Sequence, residues 1–264
     1  MNHVVGDVHY LALGLPGART LLTVHDCVAL HRGSKFKRAV LRKLYFQWPV
    51  TRAARVSTIS QATRDELVRV TGCDPAKVQV IPNCVAPEFR PEPREFNTAR
   101  PALLLVGTLP HKNLERTLEA LRGIPCRLRI IGRLTSQQRA LLQEFEYVNE
   151  FDLTTRQMAA AYRDSDLLVF ASLYEGFGMP ILEAQASGRP VVTSNLSSMP
   201  EVAGDGACLV DPNHTESIRA GVTRVIQDHD YRGGLIAQGL QNVEKYRPER
   251  IAAMYLEVYR ELLL

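Results

Sequence analysis

From residue 12 onward, short apolar runs alternate with longer stretches whose apolar positions recur every three or four residues. This is the pattern of parallel strands with helices crossing over them. The apolar runs predict strands at 20–24, 55–59, 78–81, 103–106, 127–131, 167–170, 190–193 and 207–210, with a weaker one at 146–148. The amphipathic stretches predict helices at 35–48, 61–70, 113–121, 136–143, 155–163, 180–187, 215–227, 231–243 and 248–262. Ser60 stands where its hydroxyl caps the helix that follows.

Pro87, Pro91, Pro93 and Pro101, with mixed charges between them, read as a boundary. The predicted organisation is an incomplete N-terminal Rossmann-like domain over 1–86 and a complete one over 87–247. A C-terminal helix over 248–264 is free to cross back to the first unit. Six strands with helices on both faces make a full α/β domain, whose ligand crevice belongs at the carboxyl ends of its strands. The first unit offers two or three strands, too few to bury both faces of an open sheet alone.

With 45% hydrophobic and 23% charged residues in 264, the chain has the makeup of a folded globular protein. The net charge of +4 hides an asymmetry: residues 1–55 hold nine Lys/Arg against Asp7 and Asp26, a balance of +7, so the remainder sums to −3. The basic stretch 35–48 carries five cations and no acid, together with Phe46 and Trp48. It is open to two readings, peripheral contact with an anionic membrane or a charged solvent face; nucleic acid is not an expected partner. Cys27, Cys73, Cys84, Cys126 and Cys208 are scattered and odd in number, which points to reduced thiols in a cytoplasmic protein. No apolar run approaches the roughly 20 residues of a spanning helix.

Three polar turns follow strands of the second unit. Gly107, Thr108 and Lys112 lie after the first strand, Arg133 after the second, and Glu175, Gly176, Phe177, Gly178, Met179 and Pro180 after the fourth. Pro180 suits a helix start, and the glycines leave room for a ligand to approach the backbone. Unpaired N–H groups at that start favour a phosphate or an array of hydroxyls. Glu175 and Glu183 add two acceptors facing one crevice, and Lys112 adds a cation for a diphosphate. The seven histidines and five cysteines never cluster at metal-ligand spacing, so no metal is expected. No GxGxxG joins a strand to a helix, which argues against a nicotinamide dehydrogenase.

The run Tyr174-Glu175-Gly176-Phe177-Gly178-Met179-Pro180-Ile181-Leu182-Glu183-Ala184, followed by Gly188-Arg189-Pro190-Val191-Val192, resembles the E-x7-E signature of family-4 retaining glycosyltransferases with the GT-B fold. Thr23-Val24-His25-Asp26, Ile81-Pro82-Asn83 and Val106-Gly107-Thr108-Leu109-Pro110-His111-Lys112-Asn113 match the same family in order. The resemblance implies that Lys112 contacts the donor diphosphate and that Glu175 and the backbone of Phe177 to Met179 hold the transferred sugar. It further implies that Glu183 accepts hydrogen bonds from the nucleotide ribose and that His25 faces the sugar; His25, Lys112 and Glu175 are then the catalytic set. Thr108 stands where the family commonly has arginine, which leaves Arg133 as a replacement for part of the phosphate clamp.

Family members carry a longer segment ahead of the Thr23-Val24-His25-Asp26 stretch than the 22 residues here, so a shortened acceptor side is expected. The implied function is transfer of a sugar from a nucleoside diphosphate sugar to a glycan or lipid-linked acceptor in cell-surface polysaccharide assembly, without a further cofactor. The alternative is a nucleotide-sugar-binding or scaffold protein without turnover, completed by a partner subunit or a second copy.

Overall fold

The computed structural model describes residues 1–31 and 34–263 and divides into two compact units, each built on its own parallel sheet. The first unit comprises residues 1–84, the short loop Glu175–Phe177 and the C-terminal segment from Tyr246. The second comprises Val85–Tyr174 and Gly178–Lys245.

The first sheet has four strands, β1 (Asn2–Val4), β2 (Thr20–Val24), β3 (Arg55–Thr58) and β4 (Val78–Val80), in the order β1-β2-β3-β4. The sequence predicts two or three here. It misses β1 because three residues, two of them polar, are too short to display an apolar period. His3 of β1 lies opposite Leu21 in register, and its ring joins a chain of side-chain hydrogen bonds. His3 Nε2 meets Thr23 Oγ1 at 2.7 Å, and Thr23 Oγ1 meets Ser57 Oγ at 2.7 Å.

The predicted helix 35–48 is three pieces: α1 (Lys35–Leu41), a π-helical segment Arg42–Gln47, and α2 (Trp48–Arg52). Pro49 explains the break. A proline ring collides with the carbonyl four residues back and offers it no N–H, and here that carbonyl belongs to Tyr45. The wider turn relieves the clash, and Trp48 N–H bonds to the Lys43 carbonyl five residues earlier. The Tyr45 carbonyl accepts instead from the ring of buried His9 at 3.1 Å. Helix α3 (Gln61–Thr71) is capped by Ser60, whose hydroxyl accepts from Thr63 N–H, and ends at Gly72 in the left-handed region.

The second sheet contains β5 (Ala102–Val106), β6 (Arg127–Ile131), β7 (Tyr147–Glu150), β8 (Leu167–Phe170), β9 (Val191–Ser194) and β10 (Cys208–Val210), ordered β10-β9-β8-β5-β6-β7. Its helices are α4 (Leu114–Leu121), α5 (Ser136–Leu141), α6 (Thr155–Arg163), α7 (Met179–Ala186), α8 (Met199–Ala203), α9 (Thr215–Gln227) and α10 (His229–Val243). The five-residue α8 has no counterpart in the sequence prediction, since it is too short to show a helical period. Strands β8 and β9 are buried throughout, as unbroken apolar runs in a parallel sheet should be. Thr135 and Thr154 open α5 and α6 with reciprocal capping boxes through Gln138 and Gln157.

The last helix, α11 (Pro248–Leu263), returns to the first unit. Consecutive residues of a strand point to opposite faces: Leu22 packs with Phe46, Val50, Leu67 and Val78, whereas Leu21 packs with Ile81 and with Ile251, Val258 and Leu262 of α11. The chain's own C-terminus therefore covers the face that four strands would otherwise leave bare. Tyr259 of α11 meets His3 Nδ1 at 2.8 Å, extending the hydrogen-bond chain from the sheet to the helix.

Candidate functional site

The second sheet is wound in two directions from β5: the chain adds β6 and β7 on one side, then crosses back to add β8, β9 and β10 on the other. Loops leaving the carboxyl ends of β5 and β8 therefore diverge, and ligands of open α/β sheets bind at such a switch point. Both glycine-containing motifs singled out in the sequence leave the sheet here, one after each strand.

After β5, Gly107 has φ of +92°, and a Cβ built on it would come within 2.8 to 2.9 Å of the Lys112 side chain. The absence of a side chain at 107 thus lets Lys112 fold back over the strand end. Its Nζ lies 4.9 Å from the ring centre of Phe170, the last residue of β8, so the ammonium reaches across the switch point. The loop is firmly tied: Thr108 Oγ1 donates to the Arg133 carbonyl at 2.7 Å, and buried Gln138 donates to the Thr108 carbonyl at 2.8 Å. Leu173 N–H donates to the His111 carbonyl, and Asn113 Nδ2 donates to the Ala171 carbonyl, so the β5 and β8 loops are stitched to each other.

After β8, Gly178 takes a left-handed conformation, φ +105°, and caps α7, with Pro180 in the first turn. Glu183 follows on the same helix, half-buried. Its Oε2 accepts from the hydroxyl of wholly buried Tyr162 at 2.7 Å. Burial raises the Glu183 carboxyl above its ordinary range, and the Tyr162 hydrogen bond opposes that rise. The sequence gives no means of finding Tyr162 as the partner of Glu183, because nothing in the pattern of α6 says where its hydroxyl ends.

Arg133 behaves differently from the other predicted donor contacts. Its guanidinium pairs with Asp152 and lies 4.3 Å from the ring centre of Phe151. It joins the Gly107 and Thr108 loop through its carbonyl rather than its charge.

The predicted residues Glu175, Gly176 and Phe177 group with the first unit. Within it, a Cβ at Gly176 would lie 2.4 Å from the His25 carbonyl oxygen and 2.8 Å from Asp26 Cβ, so only glycine fits. The Gly176 carbonyl accepts from Ser60 Oγ at 2.6 Å and from Thr63 Oγ1 at 3.0 Å. His25, at the end of β2, is thereby brought beside the glycine of the signature. Asp26 serves the turn, its Oδ1 accepting from Val28 N–H at 2.8 Å. Phe177 is buried, with its ring edge-on to Tyr246 at 5.9 Å. Of the predicted set, Gly107, Thr108 and Lys112 follow β5 and Gly178, Met179 and Glu183 follow β8 in the second unit, whereas His25, Glu175, Gly176 and Phe177 belong to the first.

Comparison with known proteins bears on both units. The model of the family described as glycosyl transferases group 1 matches residues 88–241, and that of glycosyltransferase family 4 matches residues 3–89. O-antigen chain mannosyltransferase B of Escherichia coli is 28% identical over 239 residues, covering 80% of this chain and 61% of its own. D-inositol 3-phosphate glycosyltransferase of Paenarthrobacter aurescens is 29% identical over 291 residues, covering 96% and 71%. Among solved structures, sucrose-phosphate synthase from Thermosynechococcus elongatus aligns with a TM-score of 0.77 at 21% identity over 93% of this chain and 68% of its own. The chain thus spans about three fifths of the O-antigen mannosyltransferase it matches, and its two Rossmann-like sheets are those of the GT-B fold.

Proposed function

Since the chain belongs to the glycosyl transferases group 1 family, we propose that it is a glycosyltransferase that moves a sugar from a nucleoside diphosphate sugar to a glycan or lipid-linked acceptor, with retention of anomeric configuration. The observation that carries this reading is the Lys112 ammonium held over the end of β8 by the side-chain-free Gly107. A cation fixed at a switch point, on the strand next to the one whose loop opens a helix, suits a diphosphate that gains negative charge as its bond to the sugar breaks. Glu183 takes the ribose hydroxyls, and the backbone from Phe177 to Met179 together with Glu175 takes the sugar. His25 orients the sugar, and the acceptor hydroxyl enters on the face the diphosphate leaves, with its proton lost alongside the nucleoside diphosphate.

In domain terms, residues 87–247 serve as the donor-binding domain and 1–86 as the acceptor-side domain, with the helix Pro248–Leu263 completing the latter. The polysaccharide named for the E. coli relative supports a surface-glycan acceptor.

Calorimetric titration of the chain with UDP-, GDP-, ADP- and dTDP-sugars tests the proposal, with Glu183→Ala beside it. One donor should bind and weaken at least tenfold in the variant, about 1.4 kcal/mol. Absence of binding to every donor would sink the donor site, and binding without transfer to any acceptor would leave a nucleotide-sugar-binding protein.

A further inference from the structure

Four large apolar side chains stand exposed at steps of four along one stretch of the first unit: Phe36 at 79%, Val40 at 39%, Leu44 at 44% and Trp48 at 53%. Singly scattered exposed hydrophobics are ordinary, but a contiguous apolar surface marks a contact. At 3.6 residues per turn each step of four drifts about 40° round a helix, so Trp48 would stand about 120° from Phe36. The π-helical segment 42–47 removes that drift, because its wider turn needs more than four residues to close, and two of the three steps enter or cross it. The segment thus converts four scattered positions into a stripe. It is held in place by the His9 ring on the Tyr45 carbonyl and by Gln47 Nε2 on the Thr71 carbonyl at 3.1 Å.

The charges around the stripe are of one sign. Lys35, Lys37, Arg42 and Lys43 are exposed on the same stretch, and the chain carries no Asp or Glu between Asp26 and Asp65. The 3-10 turn His9–Gly14, whose Tyr10 ring lies 6.3 Å from that of Tyr45, adds exposed Leu11 and Leu13 beside it. An apolar strip flanked by cations, with Trp and Phe on the apolar side, is complementary to an anionic bilayer surface, where acyl chains take the strip and headgroups the ammonium groups. We propose that Phe36, Val40, Leu44 and Trp48 form a π-aligned stripe that inserts into the interface of an anionic membrane, with Lys37 and Lys43 engaging lipid phosphates. The inference stands apart from the transferase reading and uses none of its residues.

Trp48 is the only tryptophan of the chain, so its emission reports the stripe without a label. Vesicles of phosphatidylglycerol and phosphatidylcholine should shift that emission to the blue and sediment the protein, whereas pure phosphatidylcholine should do neither. Phe36→Ser with Leu44→Ser should weaken sedimentation at least tenfold, and Lys37→Glu with Lys43→Glu should abolish the preference for anionic lipid. Because all four positions are exposed, thermal melts of both variants should match the parent. Unchanged Trp48 emission on anionic vesicles overturns the proposal, as does equal binding by the serine variant. A blue shift that appears with rising protein concentration in the absence of lipid, accompanied by a doubled mass in light scattering, overturns it in favour of a second copy as the occupant. No donor or acceptor enters these measurements, so their failure leaves the proposed activity untouched.

Discussion

The second sheet reverses its strand order between β5 and β8, whereas the first runs β1-β2-β3-β4 in chain order. In the second, the reversal lies between the two strands whose following loops carry Lys112 and lead into α7, which carries Glu183. In the first, described residues give no such reversal, and the polar side chains His3, Thr23 and Ser57 bond to one another through the sheet. The same strand-loop-helix wiring therefore yields the proposed donor edge in one unit and a hydrogen-bonded scaffold in the other. What separates them is topology rather than composition.

The sharpest way to break this contrast is Lys112→Ala. If the switch point holds the diphosphate, the variant should lose transfer about a hundredfold, the scale on which single electrostatic contacts to a developing anion act, with unchanged circular dichroism. A variant that transfers at the parent rate removes the second sheet's claim to the chemistry.

Thr23→Val tests the other side. The substitution keeps the shape but strips the hydroxyl that links His3 to Ser57, leaving buried polar groups without partners at a cost of about 2 kcal/mol. Urea unfolding followed by Trp48, which lies in the first unit, should show the loss, while donor affinity stays within about twofold of the parent. Loss of affinity without loss of stability would turn this network from scaffold into site.

The site was legible wherever backbone conformation demands a residue type. Gly107, Gly178 and Pro180 sit at a left-handed turn, a left-handed cap and a helix start, and each leaves its mark in the chain without reference to anything distant. Ser60 as a cap belongs to the same class. What escaped the sequence depends on partners far along the chain: β1 exists because Asn2–Val4 pairs with β2, and Tyr162 matters because its hydroxyl meets Glu183. The π segment lies between these cases. Pro49 announces a break, but the wide turn is the particular answer that His9 makes affordable by satisfying the Tyr45 carbonyl.

Tyr162→Phe refines the comparison through pH. Burial raises the Glu183 carboxyl, so its contribution to folding is complete below the ordinary carboxylate range and is lost as pH rises through the raised value. If Glu183 takes the ribose as proposed, donor binding has the opposite sign, because the hydroxyls donate to the ionised form; affinity should fall as pH drops through that value. The Tyr162 hydrogen bond holds the carboxyl down, so removing it should move the acid limb of donor affinity to higher pH and cost about 1 kcal/mol of stability. Affinity profiles that superimpose would show that Glu183 does not accept from the donor.

The smallest effect is expected at Arg133, and it bears on how far a resemblance should be carried. The sequence offers this arginine as a replacement for the one the family commonly has at Thr108. Its side chain is 69% exposed and already occupied by Asp152 and Phe151, and such a surface pair contributes little. Its backbone carbonyl, which Thr108 Oγ1 bonds, survives any substitution. Arg133→Ala should therefore change donor affinity less than about twofold and stability by under about 0.5 kcal/mol. A tenfold weakening in calorimetry would mean that the guanidinium leaves Asp152 for the diphosphate, and the clamp would then be shared between Lys112 and Arg133 on adjacent strand ends.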